Sequence, residues 1–441
     1  MFCSGVDDTV LQQIHSSFAL SPGTLPIRYL GRYTLISSVI SGIIGFWSSA
    51  FMLPKQVIRR INTICSAYFW HGSPETSKGA KVALDSLSVP KQEGGLGLRN
   101  LSSWNDTCGL KLIWLLYFRA GSIWVAWMRN KYLSHSTFWA LNEKNYRFSW
   151  MLRKLLKLRS KAYYFLKIII GNGDDTFFWW DPWTPLGPLI HYFGTNGPTL
   201  LGIPLFSTVK DQTTSTGWNL SPARSEKQTL LYAYITTINL SLSSDKAVWM
   251  IDEVTQRSFC SRNVWNKIRD PKPLVPWYQL VWHKARIPKH AFTVWLFILN
   301  RNPTLDRLVQ WGCDVEKTCL LCGEEEESRD HLFFQCSYSA GIWKNIVAIL
   351  TPLVAPSHWD STIIWLNSAS LSKDTFLALL QAWHACIYEV WTERNRRYHS
   401  GKTLPPSSVY RNVLNACTNR AQSFVLHNPD RLSLLRCWES H

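Results

Sequence analysis

The chain has 441 residues, 46% of them hydrophobic, which is apolar material for two or three cores and too much length for a single compact unit. Forty-seven Lys and Arg against thirty Asp and Glu give a formal charge of +17, a surface suited to a polyanionic partner such as nucleic acid. Eleven cysteines, an odd number, with no basic, apolar and small-residue order at the N-terminus, exclude a secreted disulfide scaffold and point to reduced thiols in nucleus or cytoplasm.

Taken in chain order, residues 1–6 read as a short apolar strand and residues 35–70 as helix. Inside that stretch, residues 34–54 (TLISSVISGIIGFWSSAFMLP) carry no charge and are long enough to span a bilayer, with Arg28, Arg32, Lys55, Arg59 and Arg60 on the flanks. Five serines, a threonine and two glycines in the window favour a soluble helix, so no membrane partner is expected. Residues 71–79 are polar, and the Val89-Pro90 to Leu98 run, rich in glycine, marks a turn and a boundary. Helices are predicted over 103–119 and 123–132. Residues 150–159 then repeat apolar positions every three or four residues. This leaves Arg153, Lys154, Lys157, Arg159 and Lys161 on the other face, either a solvated helix face or a stripe for phosphate contact.

Gly171-Asn172-Gly173-Asp174-Asp175-Thr176-Phe177-Phe178-Trp179-Trp180-Asp181 reads as strand, turn, strand, and residues 188–246 as irregular β structure or linker. Helices are predicted again over 373–398 and 407–425. The resulting organisation is 1–72, 90–168, 169–248, 249–345 and 358–441: mainly α with small β hairpins (α+β), multi-domain, with one small subdomain that the cysteine and histidine pairs within 319–336 mark as zinc-stabilised. The chain is Trp-rich, with 24 indoles dispersed along it beside Leu, Ile and Phe, so most are expected in cores and few as stacking platforms for bases.

The zinc expectation comes from Cys319-x2-Cys322-x8-His331-x4-Cys336, three thiol donors and one imidazole within eighteen residues. A Cys-x-x-Cys pair lets two sulfurs reach one ion from a tight turn, and a second pair a few residues on completes tetrahedral coordination. Protein fills all four positions of this CCHC set. No vacancy is left for an activated water, so one structural Zn2+ is expected, without hydrolysis. Ser328 is a candidate N-cap for the segment from His331 to Cys336, and Cys313 is a bystander or an occasional substitute ligand.

Catalytic constellations are sought without result. Asp7-Asp8 lacks the aromatic-x-Asp-Asp context of a polymerase, and Asp174-Asp175 lies in a Gly-Asn-Gly turn without a third acid nearby. Ser400-Gly401-Lys402-Thr403 resembles the end of a phosphate loop, but Arg396 stands where its first glycine belongs. Neither a G-x-S-x-G elbow nor an H-E-x-x-H helix occurs.

Around the zinc pairs, Val281-Trp282-His283-Lys284-Ala285-Arg286-Ile287-Pro288-Lys289, Pro303-Thr304-Leu305-Asp306-Arg307-Leu308, Trp311-Gly312, Glu327-Ser328, Phe333-Phe334 and Trp343 form a recognisable text. It resembles the zinc-binding domain downstream of the polymerase in plant non-LTR (LINE-type) retrotransposon reverse transcriptases, densely over 255–345. Sparser similarity covers Leu25 to Gly31, Pro90-Lys91-x2-Gly94-Gly95-Leu96-Gly97, the Gly171 to Trp183 segment, and Trp391-x-Glu393-Arg394-Asn395. Two departures stand out: Gly31 runs almost directly into Leu35-Ile36, where the family carries several tens of residues, and the polymerase aspartates and ribonuclease H motifs are not matched. The resemblance thus implies a post-polymerase part, not an enzyme. It implies a non-catalytic, zinc-binding, nucleic-acid-binding piece of a reverse transcriptase polyprotein, contacting RNA and/or DNA without reading sequence. Its expected contacts are Lys284, Arg286, Lys289, Arg301 and Arg307 together with the 153–161 stripe. The alternative is a structural module that docks a polymerase domain in trans, which requires exposed apolar area along 112–127.

Overall fold

The computed structural model describes residues 30–439, apart from 76–78, 119–120, 135 and 215–216; the expected strand at 1–6 and the pair Asp7-Asp8 lie outside the described residues. The chain divides into two units. One comprises residues up to 38, 63–98 and from 272 onward, the other 39–62 and 99–271. These divisions fall elsewhere than the boundaries drawn from the sequence, because helix contacts between distant segments, which no local pattern announces, decide them.

The unit that contains the zinc pairs is built on the helix Lys373–Ser400. Its start and stop follow from local chemistry. Ser372 accepts a hydrogen bond from the Thr375 N–H at 3.2 Å, Asp374 sits in the first turn, and Gly401 closes the C-terminus at φ +65°, where a Cβ would be strained. The helices Pro288–Ile298, Ala340–Leu350, Pro406–His427 and Leu432–Glu439 pack on it. Buried in this unit are Val294, Trp295, Phe297, Ile346, Trp359, Trp383, Val413 and Trp438. Edge-to-face and tilted ring pairs link Phe297, Phe333, Trp359, Trp383 and Trp391, geometries that add to simple area burial.

In the other unit the helix Leu101–Phe118 is buried on most sides, with Leu110, Ile113 and Leu116 in the core beside Leu155, Phe165 and Trp249. The sheet is antiparallel and three-stranded, in the order Leu166–Ile169, Lys246–Ile251, Val254–Gln256, with Leu166 opposite Trp249. Asp252 and Glu253 join its last two strands with φ of +50° and +60°, the positive pair that a two-residue hairpin needs.

Two sequence expectations are corrected in this unit. Gly171 to Asp181 is not strand, turn, strand: one strand, Leu166–Ile169, precedes it and pairs with residues 246–249, far along the chain. The loop instead wraps the Asp245 carboxylate, which accepts bonds from the N–H groups of Gly171 (2.7 Å), Gly173 (2.9 Å) and Asp175 (3.3 Å) and from the Thr176 hydroxyl (2.6 Å). Glycine is required at 171 because a Cβ there would lie 2.2 Å from the Ser243 carbonyl oxygen. The segment 169–248 is likewise no linker. It folds helices Leu189–Phe193, Gly197–Leu201 and Glu226–Ile235 around a core of Phe178, Trp179, Trp183, Leu189, Leu201, Val209, Leu231 and Ile235.

Among the described residues the helical stretch Gly31–Ala50 is long and apolar enough to cross a membrane by length and composition. It overlaps the first part of the uncharged window 34–54 and carries Arg32 near its start.

Candidate metal centre

The donor atoms of Cys319, Cys322, His331 and Cys336 lie within 4.8 Å of one another. The Cys319 and Cys336 sulfurs are 4.0 Å apart, and the Cys322 sulfur is 3.3 Å from His331 Nε2. Ligands about 2.0 to 2.3 Å from a common centre at tetrahedral angles lie roughly 3.5 to 3.8 Å from each other, so the residues present fit one zinc ion. Cys313 is exposed and outside the quartet.

Local backbone chemistry makes the cage. The Cys319 carbonyl accepts from the Gly323 N–H at 2.8 Å, folding the Cys-x-x-Cys turn with Gly323 at φ +74°. The Cys319 N–H donates to the Glu325 carbonyl and the Glu327 N–H to the Lys317 carbonyl, both at 2.8 Å, closing a short antiparallel ribbon. Ser328 accepts from the His331 N–H at 3.2 Å, the capping contact expected from sequence. The wide turn His331–Gln335 that follows brings His331 and Cys336 back toward the first pair.

The electrostatics suit a cation. Without one, the two close sulfurs compete for a proton. The hydrogen bond between them holds the Cys336 thiol below its usual range and pushes that of Cys319 up, with burial adding to the latter. Burial keeps the His331 imidazole toward its neutral form, while the carboxylates of Glu325, Glu327 and Glu324 act against it. A dication held by Cys319, Cys322, His331 and Cys336 would take the place of the shared proton and let the thiols ionise. The ten described cysteines are all free of disulfides, as a metal-ligating role requires.

Two buried charge networks outside the ligand set hold the centre to the long helix, and sequence reasoning missed both. Glu327 is 0% and Arg394 2% exposed. The guanidinium grips the carboxylate through Nη2 at 2.9 Å and Nε at 3.1 Å, and Glu327 Oε1 also accepts from the Leu305 N–H at 2.9 Å. Arg394 is sandwiched between the rings of Trp391 and Tyr398, 5.1 and 4.9 Å away. One residue earlier, buried Glu393 accepts from Arg396 at 2.6 Å and from Arg397 and the Leu404 N–H at 2.9 and 2.8 Å. Arg397 then donates to the carbonyls of Leu320 and Leu321, the two residues between the first cysteines, at 3.0 and 2.9 Å. The available signal was the Trp391-x-Glu393-Arg394-Asn395 text, which carried a resemblance but no stated role.

Residues 259–343 match the family described as zinc-binding in reverse transcriptase. This segment is a reverse-transcriptase zinc-binding domain. A curated relative from Arabidopsis thaliana, named "Putative ribonuclease H protein", is 24% identical over 332 residues, 73% of this chain. The chain spans about half the length of that relative, 53%. The partners Glu393, Arg394 and Arg397 lie beyond the matched residues, so the zinc-binding domain is completed here by a helix outside it.

The basic residues named from sequence are placed unevenly. Arg159 is bound inward, donating to the carbonyls of Leu156, Trp139 and Leu141, and Lys161 pairs with Asp106 at 2.5 Å. Arg153 Nε is buried without a protein partner, Lys154 lies over the Trp150 ring, and Lys157 is exposed. The stripe is therefore largely used by its own unit. In the zinc-bearing unit Lys284, Lys289 and Arg301 are exposed, Arg307 donates to Gln310 at 2.8 Å, and Arg286 donates to the Trp282 and His283 carbonyls at 3.2 and 2.8 Å. The phosphate-loop resemblance at 400–403 falls on the C-terminal end of the long helix, where the backbone presents carbonyls and repels an anion.

Proposed function

We propose that this chain is a non-catalytic, nucleic-acid-binding part of a reverse transcriptase of retrotransposon origin, working in nucleus or cytoplasm, with zinc as its structural staple. The observation that carries the reading is the fully protein-filled CCHC quartet within a segment that matches the reverse-transcriptase zinc-binding family. A closed site holds backbone in place and offers no position to a reacting water. The relative's name, a ribonuclease H protein, adds support, because such a protein acts on nucleic acid. With a formal charge of +17 and exposed Lys284, Lys289 and Arg301, binding rests on phosphates, independent of base sequence and shared by RNA and DNA. Fluorescence anisotropy with labelled single strands tests it. Affinity should fall steeply and linearly on logarithmic axes with potassium chloride and differ little between sequences; a flat salt response would overturn the reading.

A second reading, docking of a polymerase domain in trans, is favoured by another observation. The rings and side chains of Val39, Ile43, Phe46, Trp47 and Phe51 are all more than half exposed along one helical stretch. The surface expected for docking, residues 112–127, is not the one: Leu112, Ile113, Trp114, Leu116 and Val125 are buried, leaving Ile123 and Trp127 outside. Co-purification of the chain with a separately produced reverse-transcriptase polymerase domain, lost on Phe46→Asp with Trp47→Asp, would establish this reading, and its failure would remove it.

A further inference from the structure

The turn between the helices Tyr278–Val281 and Pro288–Ile298 gathers cations from three distant places in the sequence. Arg286 belongs to the turn itself. Arg420, from the helix Pro406–His427, donates to the Ala285 carbonyl at 3.3 Å. Lys91 places its ammonium 4.7 Å from the centre of the Trp282 ring, the ring that the Arg286 guanidinium also approaches, at 5.9 Å. All three side chains are partly buried. No carboxylate is paired with any of them among the described residues, whereas Arg159, Arg394, Arg396 and Arg397 all have one. Like charges brought together and half-desolvated without an acid cost free energy that a bound anion returns.

Beneath them lies a group with bonding capacity left over. The His283 imidazole is 8% exposed, and neither of its ring nitrogens has a protein partner. Arg286 and Arg420 are among the charges that face it, and together with burial and the His384 ring they hold it far toward its neutral, N–H-donating form. The neighbouring His384, whose ring centre is 4.9 Å away, gives its Nε2 to the Leu280 carbonyl and makes no hydrogen bond to His283. The helix Pro288–Ile298 starts two residues after Arg286 with no side-chain cap on its first N–H groups.

We propose that Lys91, Arg286 and Arg420, grouped around the 282–286 turn above the buried His283, form a seat for one phosphate group of a nucleic-acid backbone. The planar guanidinium groups suit tetrahedral phosphate oxygens, and a neutral imidazole N–H supplies a donor at the floor. The proposal rests on the nucleic-acid reading above and narrows it to one place. Exposed Lys284 and Lys289 flank the seat and extend it along a strand.

The test uses the full zinc-loaded chain and a labelled twenty-nucleotide single-stranded DNA, with a peptide nucleic acid of the same sequence as the phosphate-free probe. The double variant Arg286→Gln, Arg420→Gln should bind the DNA about tenfold more weakly and lose about 0.7 from the salt slope, the share of one phosphate on a single strand, while Lys344→Gln, at an exposed position, shifts affinity less than about twofold. The peptide nucleic acid should not bind. As a readout independent of the variants' folding, phenylglyoxal should modify Arg286 and Arg420 of the wild-type chain more slowly with DNA bound, while exposed Arg411 stays equally reactive. Unchanged affinity of the double variant, or equal modification of Arg286 and Arg420 with and without DNA, overturns the seat and leaves the nucleic-acid reading standing. A wild-type chain that binds no DNA, or that binds the peptide nucleic acid equally, overturns both.

Discussion

The zinc-bearing segment 317–336 and the segment 166–251 solve the same problem in different ways. Each is a loop-rich stretch that must be pinned to its unit. In 166–251 the pins are apolar: Phe178, Trp179, Trp183, Leu189 and Leu231 make a core of their own, and a single carboxylate, Asp245, gathers the polar backbone of the 171–176 loop. In 317–336 the apolar content reduces mainly to Leu321 and Leu332 to Phe334, and the remaining order is carried by four metal donors and two buried carboxylate–guanidinium networks. A short ribbon with few side chains to bury needs a staple, whereas a stretch with indoles does not. That difference makes the two respond oppositely to metal.

Removing zinc is the strongest way to break the comparison. A tight zinc chelator should abolish hydrogen-exchange protection of amides in 317–336, since such ions supply on the order of 10 kcal/mol to isolated zinc domains. The sheet amides of 166–169 and 246–256 should stay protected. Loss of protection in both places at once would show that zinc is not a local staple.

Next in size is the buried ion pair. Glu327→Ala leaves Arg394 enclosed without its counter-charge and the Leu305 N–H without its acceptor, which should lower stability by about 3 to 5 kcal/mol in urea unfolding with zinc retained. The double variant Glu327→Leu, Arg394→Met should recover much of that loss, because a matched apolar pair leaves no orphaned charge. In the other region the corresponding variant is Asp245→Ala. It removes the acceptor for four donors and should cost about 2 kcal/mol, less than Glu327→Ala because Asp245 is partly exposed and water replaces some of the bonds.

The 166–251 region also carries a dependence on pH. Burial pushes the Asp181 carboxyl up to about 7, against the Phe177 N–H and Thr137 hydroxyl that donate to it. In the unfolded chain the group ionises near pH 4. The folded state therefore holds the extra proton between those values, and its stability declines as pH rises from about 4 to about 7. Asp181→Asn cannot ionise and should flatten that part of the urea-midpoint profile; an unchanged slope would show that another group causes it.

How much of this was legible depended on the distance over which the information is spread. The zinc quartet spans eighteen residues and its spacing is itself the geometry, so it could be read directly. The long helices were equally plain, since Ser372 and Gly401 mark the ends of one of them locally. Glu327 and Arg394 are 67 positions apart, and nothing near either states that the two meet. The 169–248 segment was misjudged because its apolar residues come in short runs without period 2 or 3.6, and its core is assembled by indoles from separate turns. Arg159 and Lys161 show the converse error: helical spacing placed them on a polar face, but the carbonyls of Trp139 and Leu141 and the Asp106 carboxylate had already engaged them.

Metal analysis of the purified chain tests the central claim most directly. One zinc per chain in the wild type, lost in Cys322→Ser together with amide protection over 317–336, is the predicted result. A wild-type chain that carries no zinc yet keeps those amides protected, or a Cys322→Ser chain that keeps its full complement, would contradict it.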